Sequence, residues 1–139
     1  MALRVLYEAD ITGDDPREVL ALAFGRFRFT PEGRRHAERL VGDFRARVTE
    51  VDRALSACLR HWELGRLGAV DRALLRVGAV ELLYLQEVPT AVVLDEALRL
   101  AHRYLDPPGA AFVNGVLDAL AREARRTGDD AAEAGGGSA

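Results

Sequence analysis

The chain has a single cysteine, Cys58, and no lysine, and aromatic residues make up only 6% of its 139 residues. One cysteine excludes an intrachain disulfide framework and a thiolate metal cluster. No apolar run approaches the roughly 20 residues that cross a bilayer, and no signal-peptide pattern is visible at the N-terminus. A core with few aromatics must consist mainly of Leu, Val and Ala, which favours helices over sheets. We therefore expect a soluble, cytoplasmic, helical protein without a membrane segment.

The net charge says little about partners. The formal value is −3, but Asp129, Asp130 and Glu133 lie in the terminal segment 127–139. Because that segment lacks apolar periodicity, we expect a disordered, acidic and glycine-rich tail there. Without those three residues, 19 acidic and 19 basic residues remain. Every basic residue is arginine, whose guanidinium group can contact phosphate with two donors and can stack on aromatic rings.

Apolar spacing and helix-start signals predict an all-α fold of about seven helices. Asp15 and Thr30 each precede a proline, and Asp106 precedes Pro107, which is the arrangement of a capping residue followed by the first helical turn. Residues 69–86 are apolar on nearly every side, so we expect other helices to surround this one. Three further stripes follow helical spacing and consist of Ala37, Leu40, Val41, Phe44 and Val48, of Val51, Leu55, Cys58, Leu59 and Trp62, and of Val93, Ala97, Leu100, Ala101 and Tyr104.

Asn114 and Gly115 form a turn dipeptide within a segment of helical periodicity. A hairpin here would need strands on both sides, and the apolar residues instead recur at helical spacing. We therefore expect the helix to continue through this pair and to end near Arg126. Glycine costs about 1 kcal/mol relative to alanine inside a helix. We expect the close approach of a neighbouring backbone at Gly115 to offset that cost.

Three segments of the chain resemble the NusB family of bacterial transcription antitermination factors. They are VDRALLRVGAVELLYLQEVPTAVVLDEALRLA (70–101), FVNGVLD (112–118) and, in support, ALRVLYEADITG (2–13). The resemblance implies an all-helical protein of two packed subdomains, which we place at residues 1–65 and 66–126. It also implies binding of the boxA RNA element of ribosomal RNA leaders, together with a small-subunit ribosomal protein, NusE. The complex would act on elongating RNA polymerase with other Nus factors, without a cofactor and without catalysis.

The resemblance also suggests the residues that make these contacts. Arg4, Tyr7, Phe112 and Asn114 are the candidates for RNA binding, since single-stranded RNA is recognised by stacking and by contacts to base edges. Phe112 also belongs to an apolar stripe, and burial in the core is the alternative interpretation. The candidates for binding the ribosomal protein lie at the start of the central helix and are Asp71, Arg72 and Arg76.

Several alternatives remain open from the sequence. A helical protein-interaction module, or a homodimer, with weak or lost RNA binding is the alternative function. Family members usually carry an arginine-rich stretch before the first helix, so we expect an in-frame leader of that kind upstream of Met1. Glu81 should be paired internally, with Arg99 or Arg103 as its mate. Four arginines form the densest remaining basic cluster of the sequence, which either faces solvent or contacts phosphate: Arg26, Arg28, Arg34 and Arg35.

Nothing in the sequence points to catalysis or to a metal site. The three histidines, His36, His61 and His102, have no metal-ligand spacing among themselves, and HExxH and CxxC motifs are absent from the sequence. No glycine-rich phosphate loop follows a strand pattern, and no GxSxG motif occurs.

Overall fold

Seven α-helices and one short 3-10 helix make up the part of the chain that the structure describes. This structure is a computed structural model, and it describes the backbone of residues 1–136 and the side chains of residues 1–127. No strand occurs within these residues, which confirms the predicted all-α fold. The helices are α1 (Ala2–Thr12), α2 (Pro16–Arg26), α3 (Pro31–Ala46), α4 (Val48–Cys58), α5 (Ala69–Tyr84), α6 (Thr90–Tyr104) and α7 (Pro107–Gly136), and the 3-10 helix spans Leu64–Arg66.

The predicted capping residues begin three of the helices. An Asp15 carboxylate oxygen accepts a hydrogen bond from the Arg17 backbone N–H at 2.9 Å and so caps α2. The Thr30 hydroxyl accepts one from the Gly33 N–H in α3, and Asp106 accepts one from the Gly109 N–H in α7. Each cap satisfies a backbone donor that has no partner within its helix.

Helix α5 is the centre of the fold, as its apolar sequence predicted. It packs against α1, α3, α4, α6 and α7, and both of its faces contribute buried side chains. Buried residues from all seven helices form one continuous core. The division at residues 65 and 66 therefore stays a prediction about subdomains that share this core. Within residues 1–136, no helix is both long enough and apolar enough to cross a membrane.

Helix α7 runs through Asn114 and Gly115 without a break, as predicted, but the reason expected for the glycine is wrong. Gly115 is exposed, and a Cβ atom at this position would meet nothing within 4 Å. The close approach occurs at Gly78 of α5 instead. There a Cβ would lie 2.7 Å from Leu117 Cδ1 and 2.8 Å from Leu117 Cδ2. Gly78 therefore sets how closely α5 and α7 pack, whereas Gly115 faces solvent.

Two aromatic residues that were expected in the core are exposed. Helix α4 ends at Cys58, and the chain then turns so that Leu59 and Leu64 both reach the core; this leaves Trp62 between them with 61% of its surface exposed. Tyr104 is the last residue of α6 and is 53% exposed, because the next residue, Leu105, packs against the core in its place.

Helix α7 is also longer than the sequence suggested. Its backbone remains helical to Gly136, beyond the end expected near Arg126. Residues 127–136, TGDDAAEAGG, contain no proline that would end the helix, but their three glycines are weak helix formers. Residues 137–139 and the side chains from 128 onward lie outside the described residues, and the disordered tail expected at 127–139 stays a prediction.

Candidate functional site

The first group of candidate residues lies on α1, beside a surface groove between α1 and α2. Tyr7 is 36% exposed and lines this groove, which has a volume of about 400 Å³. The Arg4 guanidinium carbon lies 4.8 Å from the centre of the Phe27 ring, a cation–π arrangement that positions the guanidinium at the groove. Exposed Ile11 and Leu22 also line it. The groove thus combines a phenol, a guanidinium and apolar surface.

The second group lies on α7, and the structure separates its two members. Phe112 is half-buried, and its ring makes an edge-to-face contact with Trp62, with the centroids 6.2 Å apart. Asn114 is half-buried as well. Residues two positions apart on a helix point about 160° away from each other. Phe112 and Asn114 therefore lie on opposite flanks of α7 and cannot contact one small ligand group together.

Sequence reasoning missed Trp62 as a surface residue. Its spacing of seven residues from Leu55 matched the buried stripe of α4, which led to the assignment to the core. A signal to the contrary was present in its neighbours, because Arg60, His61 and Glu63 are polar and Gly65 follows closely. That composition is typical of a segment that leaves a helix.

The predicted partner residues at the start of α5 divide into one that is available and two that are engaged internally. Arg72 donates hydrogen bonds to Asp10 of α1, at 2.8 Å from Nε and 2.6 Å from the second guanidinium nitrogen. It also donates to the backbone carbonyls of Leu64 and Leu67. Its side chain is only 15% exposed. Arg72 therefore joins α1, the 64–66 segment and α5.

Arg76 is engaged in the same way one turn further along α5. Its guanidinium group donates to both carboxylate oxygens of Asp52 in α4, at 3.0 and 2.9 Å, and lies 3.6 Å from Asp10. It also lies 5.4 Å from the centre of the Phe44 ring. Asp71, by contrast, forms no ion pair within the described residues and is half-buried. Of the three candidates, Asp71 is therefore the one whose charged group is available to meet a partner.

The four arginines of the cluster near α2 and α3 are all exposed. The Arg34 Nε donates to Glu38 at 3.1 Å, and its guanidinium carbon lies 4.3 Å from the centre of the Phe24 ring. Arg26, Arg28 and Arg35 are exposed. Exposed pairs such as Arg34–Glu38 contribute little to stability.

The prediction that Glu81 pairs with Arg99 or Arg103 is wrong. Arg99 donates to Glu96 on its own helix, and Arg103 lies against an aromatic ring. A carboxylate oxygen of Glu81 lies instead 3.5 Å from His36 Nε2 of α3. Burial, and then the negative charge of Glu96, raise the pKa of Glu81 to about 7.

We expect this carboxyl group to make stability depend on pH. Because its pKa is raised from 4.5 in the unfolded chain to about 7 in the folded one, the neutral form favours folding. The contribution of this group to stability is therefore greatest below about pH 4.5 and is lost progressively up to about pH 7. The Glu81→Gln variant should lose this decline, so that it gains about 2 kcal/mol relative to the wild type between pH 5 and pH 8.

Urea unfolding of both proteins at several pH values measures this gain. The matched control is Glu87→Gln, which removes one negative charge from an exposed side chain that pairs with Arg39. A difference between wild type and Glu81→Gln that stays constant with pH would contradict the proposed titration.

The fold defines an all-helical protein whose surface presents aromatic rings and guanidinium groups, the side chains that RNA-binding proteins use for stacking and phosphate contact. It exposes Tyr7, Trp62 and arginine side chains at its surface, while Arg72 and Arg76 hold its helices together. The chain belongs to the NusB family: the sequence profile of that family matches residues 1–122. This confirms the family that the sequence motifs indicated.

Similar proteins carry the same assignment. The chain is 40% identical over 129 residues to the transcription antitermination protein NusB of Sorangium cellulosum, covering 93% of this chain and 92% of that one. It resembles the structure of T. maritima NusB with a TM-score of 0.80 and 29% identity, over 88% of this chain and 86% of that one. It also resembles a crystal structure of the antitermination factors NusB and NusE in complex with dsRNA, with a TM-score of 0.79 and 29% identity, over 88% and 91% of the two chains.

Proposed function

We propose that the protein is a transcription antitermination factor that binds boxA-type RNA of ribosomal RNA leaders together with the small-subunit ribosomal protein NusE. Membership of the NusB family supports this function. So does the likeness to the solved complex of NusB and NusE with dsRNA. The resulting complex acts in the cytoplasm on elongating RNA polymerase, with other Nus factors, and has a regulatory rather than a catalytic role.

The observation that carries the RNA side of this proposal is the exposed Tyr7 beside Arg4 on α1. An aromatic ring at the surface can stack on a base, and a guanidinium group held nearby can contact phosphate. Phe112 and Asn114 of α7 supply a second contact area, with Phe112 stacking and the Asn114 amide directed to a base edge. Because these two lie on opposite flanks of α7, they act on different nucleotides.

Arg72 links the two RNA-binding areas to the partner-binding end of α5. It contacts Asp10, one turn after Tyr7 on α1, and the carbonyls of the segment that follows Trp62. The start of α5 therefore lies between the two areas. Asp71 there contacts NusE directly, whereas Arg72 and Arg76 assist by fixing the position of this helix end. The partner and the RNA then share one continuous surface.

We expect Tyr7→Ala to weaken binding of boxA RNA by about tenfold in the presence of NusE, because loss of one base–aromatic stack costs about 1–3 kcal/mol. Anisotropy of labelled boxA RNA at fixed salt measures the affinity, with and without NusE. Val92→Ala is the matched control, since Val92 is 52% exposed and lies in the first turn of α6.

The same titration separates this function from the alternative interaction module or homodimer. Specific binding of boxA RNA that survives moderate salt and strengthens with NusE supports antitermination. Absence of RNA binding by the wild type, even with NusE present, would favour the alternative.

A further inference from the structure

Trp62 is the only tryptophan of the chain, and its indole ring is held at the surface in a fixed place. Leu59 and Leu64 on either side of it are both only 8% exposed and anchor the segment to the core. The ring meets Phe112 of α7 with 67° between the two ring planes. The core therefore positions Trp62 without burying it, since 61% of the residue remains exposed.

Packing within the chain does not account for so much exposed aromatic surface. An edge-to-face contact with Phe112 uses part of the ring system and leaves the rest in water. The flanking residues Arg60, His61 and Glu63 are all exposed and polar or charged. Within the described segment 59–68, Trp62 is the one large apolar side chain that is exposed.

The chemistry of this surface fits a nucleobase better than a protein partner. A protein interface of useful size has an apolar core patch depleted of charged residues, whereas here a single aromatic pair lies among charged side chains. An isolated aromatic platform with arginines nearby is the arrangement that single-stranded RNA uses for stacking and phosphate contact. Arg66 pairs with Glu63 at 3.3 Å, but both side chains are about four-fifths exposed, so that weak pair leaves Arg66 able to meet phosphate.

We propose that Trp62 and Phe112 form a stacking platform for one base of a single-stranded RNA, with Arg60 and Arg66 contacting the adjacent phosphates. This inference rests on the proposed function, because it assumes that the protein binds RNA. It goes beyond that function by assigning a base contact to Trp62 and by giving Phe112 a role shared with a residue of another segment. With the two ring planes 67° apart, one base can stack flat on only one of the rings, so the base lies on the indole and Phe112 supports and orients it.

The single tryptophan provides a direct test. BoxA RNA is titrated onto the chain in complex with NusE while both RNA anisotropy and indole fluorescence are followed. The Trp62→Phe variant in the same complex gives the background emission of the partner. We expect RNA to quench the Trp62 emission with the same midpoint as the anisotropy change, because stacking places a base against the indole.

Variants measure the size of the contact. We expect Trp62→Ala to weaken RNA binding about tenfold, and Trp62→Phe to stay within about threefold of the wild type because a ring remains. The RNA affinity of both variants should depend on salt concentration as that of the wild type does, since neither substitution removes a phosphate contact. Thermal unfolding should change little, because the indole is largely exposed.

Val92→Ala is again the matched control. Trp62 lies near the start of α5 and Val92 near its end, and the 16 residues of α5 span roughly 24 Å. The possible outcomes separate the platform from the proposed function. If the wild type binds RNA, Trp62→Ala binds it equally well, and RNA leaves the indole emission unchanged, then the platform is wrong and the proposed function stands. If NusE alone changes the emission and Trp62→Ala weakens NusE binding only, the surface is a protein contact and the platform is likewise wrong. If the wild type does not bind RNA at all, the proposed function itself fails.

Discussion

Replacing Asp10 with alanine is expected to lower the free energy of unfolding by about 3 kcal/mol, because it leaves a nearly buried guanidinium group without its carboxylate. Arg72 directs two donors to Asp10, and Arg76 lies 3.6 Å from it. The side chains of both arginines are 15% exposed, and that of Asp10 is 21% exposed. At this depth, solvent cannot fully replace the lost partner.

Urea unfolding followed by far-UV circular dichroism measures the effect of Asp10→Ala. Glu63→Gln is the matched control, because it also removes one partner of an arginine, but in a pair whose side chains are 78% and 82% exposed. We expect that control to change stability by less than about 0.5 kcal/mol. Equal effects of the two substitutions would show that the Asp10 pair is no stronger than a surface pair.

Replacing Gly78 with valine is expected to destabilise the protein by about 3 kcal/mol, through overpacking between α5 and α7. A Cβ alone would lie 2.7 Å from a methyl carbon of Leu117, and the two methyl groups of valine add further volume. Leu117 is fully buried, so its side chain can shift only within the packed core. The gain in helix propensity on replacing glycine offsets only part of this cost.

The matched control is Gly115→Ala, which should have the opposite sign. Gly115 is exposed in α7 and has open space at the Cβ position, so alanine should stabilise the protein by about 0.5–1 kcal/mol. Thermal unfolding of both variants checks the pair of predictions. Destabilisation by Gly115→Ala would mean that a neighbour approaches this position, and a neutral Gly78→Val would mean that the α5–α7 contact can widen without cost.

Much of the helical architecture was predictable because it depends on local sequence. The capping residues Asp15, Thr30 and Asp106 act on backbone groups within three positions of themselves, so their role can be identified without knowing the fold. The central position of α5 was predictable as well, since a helix that is apolar all round requires neighbours on every side. The family motifs in the second half of the chain agreed with the predicted helix starts and with the central position of α5.

The candidate site was less predictable. The sequence pointed to exposed Tyr7, whereas Trp62 was assigned to the core because its spacing continued the stripe of α4. Where α4 ends depends on Leu64, which must reach a core built by distant helices. Helical spacing alone does not show where a helix such as α4 ends. The same limit applies to Tyr104 at the end of α6.

Ionic pairing was the least predictable feature. The sequence suggested arginine partners for Glu81 on α6, but the structure places His36 of α3 beside it. The sequence also suggested that Arg72 and Arg76 bind the partner, whereas in the structure both arginines pair with carboxylates of α1 and α4. A long charged side chain can reach several positions, and only the packing of the helices decides which carboxylate lies within its range.

The sequence by itself determined the all-helical fold, the start of several helices, the continuity of α7 through Asn114 and Gly115, and the family. These follow from interactions within a few residues or from a motif that can be read along the chain. Only the tertiary structure decided that Gly78, rather than Gly115, permits close helix packing, that Asp10 joins α1 to α5, and that Trp62 reaches the surface beside Phe112. Each of these depends on atoms far apart in sequence, whose separation is fixed when the helices pack around one core.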